Sequence, residues 1–174
     1  MHTLILGLHI LAMVVVLGGY IFLSVFWWPV LRRATTDVHV QVRCLGQTLR
    51  RFFTVVLLAL TLELMTGGLY LLPEARVARA GSEAALATFY TVLGIKLAAV
   101  FLVMLLVPMQ LFGMAFRLTR MDAGIYPYDA DVVQRVSQRM QTVSYCIIAL
   151  LTLVVVLSLR LRLTTTGHRH RQAP

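Results

Sequence analysis

With 174 residues, 59% of them hydrophobic and 13% charged, and a mean hydropathy of +0.83, the chain has a membrane composition rather than a soluble one. Its net charge of +9 does not point to nucleic acid, because the arginines gather at the ends of apolar runs instead of forming one basic groove. The two cysteines, Cys44 and Cys146, match no metal-binding spacing and both fall on the side read below as cytoplasmic, which argues against a disulfide.

Four apolar segments follow one another, Leu4–Leu31, Phe52–Leu72, Ala87–Phe116 and Val143–Leu159. Each is near or above the ~20 residues needed to cross hydrocarbon. The expected fold is all-α: one integral membrane domain over residues 1–163, a bundle of four transmembrane helices, with a polar, disordered tail over 164–174. The first segment does not read as a cleaved signal, since it lacks a basic leader and runs into Arg32-Arg33. Pro73, after Gly67-Gly68, is a plausible stop for the second helix. Pro108 lies inside the third span and should kink it or free a carbonyl near Met104. Before the fourth span, Asp129 or Asp131 is positioned to cap a helix start. Val132, Val133, Val136 and Met140 then recur at helical spacing, so this helix should begin as an amphipathic extension outside the membrane.

The arginines give an orientation. The first loop carries Arg32, Arg33, Arg43, Arg50 and Arg51 against Asp37, and the third carries Arg117, Arg120, Arg135 and Arg139 against Asp122, Asp129 and Asp131. In the second loop Arg76 and Arg79 are balanced by Glu74 and Glu83. Loops one and three are therefore expected in the cytoplasm and both termini outside it, in the inner membrane of a bacterium. The basic tail, with Arg160, Arg162, Arg169 and Arg171, is the one segment opposed to this assignment.

Within the spans, Lys96 poses the sharpest question. A charge at bilayer depth costs about 2.5–3.5 kcal/mol on insertion scales unless it finds a partner or a wet cavity. Glu63 and Lys96 are each nine residues from the expected membrane exit of their own segment, about 13 Å deep, and consecutive antiparallel helices are usually neighbours. His9 enters from the same side about one turn shallower. The three form one candidate layer, with Glu63 and Lys96 able to pair. On the first helix His9, Met13, Tyr20, Ser24 and Trp27 share a face; on the second, Glu63 lies with Ala59, Thr66, Gly67 and Tyr70. Lys96 has an apolar face of Phe89, Leu93, Ala99, Val100 and Val103, and Gln110 lies far below. The bland reading is an ion pair that sets helix register, methionines that fill gaps and a Trp27-Trp28 anchor at the interface.

Several short stretches bear a family likeness. Leu8-His9-Ile-Leu-Ala12, Leu17-Gly-Gly19, Pro29-Val-Leu-Arg-Arg33, Thr66-Gly-Gly-Leu-Tyr70 and Gly94-Ile-Lys-Leu97, in this order, resemble the CopD/HemJ-like group of small bacterial membrane proteins. HemJ-type members are haem b-binding protoporphyrinogen oxidases in which a first-helix histidine and a third-helix lysine are functional. The resemblance therefore implies His9 as a haem iron ligand, Lys96 as a functional residue and a tetrapyrrole substrate; under that oxidase hypothesis Glu63 or Lys96, the catalytic candidates, accepts protons. Met13, Met65 and Tyr70 complete the candidate cofactor-binding set. CopD-type members are linked to copper uptake, for which His9 and Met13, with Met65 across from them, would be soft ligands. A third reading is a non-catalytic accessory subunit, with a homo-oligomer or a larger membrane complex as partner and the lipid bilayer as surroundings.

Overall fold

The computed structural model describes residues 2–35, 37–79, 83–127 and 129–171, with the side chains of 2, 70–79, 84, 85 and 161–171 outside that description. All regular structure among the described residues is helical. The first helix is α-helical over His2–Ile21, π-helical over Phe22–Trp27 and α-helical again over Trp28–Ala34. The second is one α-helix, Val38–Arg79. The third runs as α-helix over Glu83–Pro108, π-helix over Met109–Ala115 and α-helix over Phe116–Asp122. The fourth spans Ala130–Arg171.

Among the described residues four stretches are long and apolar enough to cross a membrane: Thr3–Ala34, Val38–Leu69, Leu86–Asp122 and Ala130–Arg160. Only 17–22% of each most apolar window is buried inside the bundle, so the bulk of the apolar surface faces outward. Leucines and phenylalanines such as Leu58, Phe101 and Phe112 project from the bundle. That surface requires acyl chains around it, and the helical backbone satisfies its own hydrogen bonds there. The chain is a multi-pass four-helix membrane protein.

The helices outrun the apolar segments at both ends. The second continues as helical backbone through Gly67-Gly68 and Pro73 to Arg79, so the stop expected at Pro73 does not occur. A proline removes one intrahelical hydrogen bond without forcing termination, and membrane helices tolerate this well. The fourth starts with the amphipathic extension expected of it, burying Val133, Val136 and Met140. Its cap is Asp129, whose Oδ1 accepts from the amides of Asp131 (2.9 Å) and Val132 (3.2 Å). Helical backbone continues as far as Arg171, into the tail expected to be disordered from Thr164; residues 172–174 lie outside the described residues. Gly124, at φ 72°, ends the third helix, with Gly124 and Ile125 amides returning to the carbonyls of Met121 and Arg120.

Each π-helical stretch adjoins a proline, Pro29 or Pro108. The missing proline N–H leaves a carbonyl without its usual donor, and wider i to i+5 turns are one way a helix absorbs this. A π-helical stretch follows Pro108 directly. The wider turns also bring Ser24 and Gln110 inside the bundle. Trp28 is likewise buried in the core, and Trp27 packs against it, so this pair is core packing more than the interfacial anchor expected.

In lipid the drive to associate comes from close packing and interhelical hydrogen bonds, since tails are as apolar as leucine. The core stacks Val16, Tyr20, Leu49, Phe53, Val56, Val103, Ile147 and Leu151. Gly19 of the first helix faces Phe52 of the second: a Cβ there would stand 2.9 Å from Cε2 of Phe52. The Phe52 ring has little room to retreat, because it meets Tyr20 edge-on at 5.2 Å and Phe53 at 5.6 Å. Gly19→Val should therefore destabilise the bundle by about 1–3 kcal/mol, with Phe52→Leu in the same chain restoring part of the loss. Thermal unfolding in detergent checks this; an unchanged midpoint in Gly19→Val would contradict the packing described.

Candidate functional site

Near the end of the bundle opposite the arginine-rich loops, His9 reaches from the first helix onto the second. Its Nδ1 lies 2.9 Å from Thr66 Oγ1, and its Nε2 lies 3.2 Å from Glu63 Oε1. Thr66 and Glu63 are three residues apart, so one helical turn presents both to the same ring. Gly67 completes the seat. A Cβ at that position would touch His9 Cε1 at 3.4 Å, so the absent side chain lets the imidazole rest against backbone. Hence the small residues of the Thr66-Gly67 pair permit the approach and supply one of its hydrogen-bond partners.

These distances bear on where the protons sit. The Thr66 hydroxyl has one hydrogen, and its 2.7 Å contact with the Leu62 carbonyl is the i to i−4 bond a helical threonine makes. With that hydrogen on the Leu62 carbonyl, the hydroxyl accepts from His9. Nδ1 then carries a proton. The contact between Nε2 and Oε1 holds one further proton, which belongs either to an imidazolium beside a carboxylate or to a carboxylic acid beside a neutral imidazole. The second carboxyl oxygen, Oε2, is buried and has no hydrogen-bond partner among the described residues. This is a carboxyl group with spare acceptor capacity inside a membrane, an expensive arrangement without a further role or a nearby charge.

Lys96 supplies such a charge. It is half-buried on the third helix, and it lies near enough for its ammonium to act on the Glu63 carboxyl. It does not make the direct ion pair expected between them: among the described residues Glu63 pairs with His9, within the 4.0 Å that defines contact. His9, lying against the Thr66-Gly67 seat, makes the contact with Glu63 instead. The helix face drawn for Lys96 is inward as expected, with Phe89, Ala99 and Val103 buried and Leu93 and Val100 half-buried.

Other expected members fall differently. Met13 is half-buried and packs against the core. Met65 is 68% exposed and turned outward, away from the face that holds Glu63 and Thr66, so it does not join His9. The side chain of Tyr70 lies outside the described residues. The free thiols Cys44 and Cys146 take no part. No group of three or more His, Cys, Asp or Glu side chains converges as a metal site among the described residues.

A second polar layer escaped the sequence reading. Eleven residues beyond His9, about 16 Å along the helix, the Tyr20 hydroxyl donates to Gln110 Oε1 at 3.2 Å. Gln110 Nε2 donates in turn to Ser144 Oγ at 2.8 Å and to the Met140 carbonyl at 3.0 Å. Tyr20 and Gln110 are fully buried, so this network ties the first, third and fourth helices together from within. Beside it Ser24, Trp28 and Ser144 line a gap of about 10 Å³, room for the centre of one water. Ser137, Met140, Ser144, Ile147 and Leu151 recur on one face of the fourth helix, and that spacing of small polar residues was the available signal.

No family model, curated protein or solved structure matches the chain. The His9 seat has its own test. Thr66→Val keeps the shape but leaves Nδ1–H without an acceptor, and should cost about 1–3 kcal/mol in thermal unfolding. Thr66→Ser keeps the hydroxyl and should cost clearly less. Equal losses would mean that the hydroxyl does not hold the ring.

Proposed function

We propose that the protein is a haem b-binding oxidoreductase of a bacterial inner membrane, of the CopD/HemJ-like kind, acting on a porphyrinogen-like tetrapyrrole. In this reading the arginine-rich loops face the cytoplasm. The observation that carries it is the double engagement of His9. An imidazole whose Nδ1–H is fixed by a neighbour is oriented to offer Nε2 to iron, which is how metal-bound histidines are generally held. Thr66 supplies that orienting contact. The donor chemistry of His9 thus fits a residue that would hold haem iron. Glu63, which now holds Nε2, is the group that iron would displace, and it would remain beside the ligand.

When bound, the haem would supply one-electron transfer between the reductant and an acceptor. The rest falls to side chains of this chain. Oxidising a porphyrinogen releases protons along with electrons, and a site closed to water needs residues that accept them. Glu63 Oε2, buried and without a hydrogen-bond partner among the described residues, is the first acceptor. Lys96 acts as the charge that balances it, so proton uptake and loss at Glu63 never leave a lone carboxylate in the membrane.

A copper-handling role with His9, Met13 and Met65 as soft ligands draws less support, because Met65 turns outward. Purified protein from haem-replete cells should show a Soret band that is lost in His9→Ala and kept in Lys96→Met. A Soret band unchanged in His9→Ala would overturn the assignment of the ligand. A colourless protein carrying stoichiometric copper would overturn the haem reading itself, and a protein with neither would favour an accessory role.

A further inference from the structure

At the opposite end of the bundle from His9, where the third helix leaves its π-helical stretch, Phe112, Phe116, Arg117, Arg120 and Tyr126 line an open cleft of about 190 Å³. This end also carries the first loop, since Arg43 Nε stands 3.9 Å from Asp122 Oδ1. Phe112 is 70% exposed, and Phe116 and Tyr126 are exposed beside it. On this bundle an outward phenylalanine faces acyl chains. The arginines lie just past them, where the apolar run gives way to charge. The Arg120 guanidinium stacks on the Phe116 ring, 4.5 Å from its centroid. Stacking occupies the flat face of a guanidinium and leaves its N–H edge for an anion. Among the described residues no carboxylate lies within 4.0 Å of Arg117 or Arg120. Of the acids in this loop, Asp122 faces Arg43 and Asp129 caps the fourth helix.

We infer that this cleft binds the headgroup of an anionic phospholipid. The phosphate lies between Arg117 and Arg120, a headgroup hydroxyl meets Tyr126, and one acyl chain runs along Phe112 and Phe116. Two uncompensated guanidiniums select a phosphate and repel the cation of a zwitterionic headgroup. A free phosphate would leave the aromatic wall uncovered, and a lipid covers both halves at once. Basic residues at the cytoplasmic ends of membrane helices commonly hold anionic lipids in this way.

Native mass spectrometry of the full-length protein, titrated with phosphatidylglycerol or phosphatidylcholine, tests the inference. Wild type should retain one phosphatidylglycerol at about tenfold lower concentration than phosphatidylcholine. The double change Arg117→Gln/Arg120→Gln should abolish that preference. Arg32→Gln/Arg33→Gln, which removes equal charge from the same end, should leave it in place. Should the first double variant fail to fold, Arg117→Gln alone, at an exposed side chain, is expected to lose most of the preference. Equal binding of both lipids by wild type would overturn the inference. So would equal loss in the two double variants, which would mean diffuse attraction, or full displacement of the lipid by inorganic phosphate, which would mean a free-anion site.

Discussion

The arrangement at the end of the bundle away from the arginine-rich loops depends on one ring held at both nitrogens. His9 spans the gap between the first two helices, with Thr66 fixing one side and Glu63 occupying the other. With the Thr66 hydrogen on the Leu62 carbonyl, the neutral ring carries its proton at Nδ1. Everything chemically interesting is thereby concentrated on one proton between Nε2 and Oε1. A bilayer makes this consequential. In water such a contact would contribute little, whereas at membrane depth an unshared charge is strongly disfavoured. A site that can hold its proton on either partner avoids that cost in both states, and Lys96 of the third helix lies near Glu63.

The rest of the molecule keeps that site in register. Gly67 lets the ring approach, and Gly19, under Phe52, sets the spacing of the same two helices farther down. Deeper still, Gln110 links Tyr20 to Ser144, so the first helix is also tied to the third and fourth. The π-helical stretches beside Pro29 and Pro108 place Ser24 and Gln110 inside that layer. Two polar layers thus divide the labour: the first carries an exchangeable proton, and the second, fully satisfied at Gln110, locks the bundle.

Much of this was legible in the residues. Length and hydropathy give four spans, and helical periodicity correctly turned His9, Glu63 and Lys96 inward on three helices. What periodicity could not give is which polar group reaches which. Depth and charge match Glu63 with Lys96, yet the contact goes to His9, which lies against Gly67 and bonds Thr66 on the same turn. Helix ends were misjudged for a related reason. Pro73 reads as a stop, but a membrane helix loses only one hydrogen bond there and continues. Gln110 was seen and passed over, because its partners are a serine and a carbonyl on a helix thirty residues or more away, and a wider turn was needed to bring it inside.

The most direct test of the central claim is the ¹⁵N spectrum of His9 in full-length protein in bilayers, with the other histidines replaced so that one ring is observed. The account predicts that Nδ1 carries a proton at every pH at which the protein stays folded, and that only Nε2 changes. A neutral ring protonated at Nε2 and bare at Nδ1 would contradict it, because Thr66 would then be donating to the ring and the shared proton with Glu63 would be assigned to the wrong site.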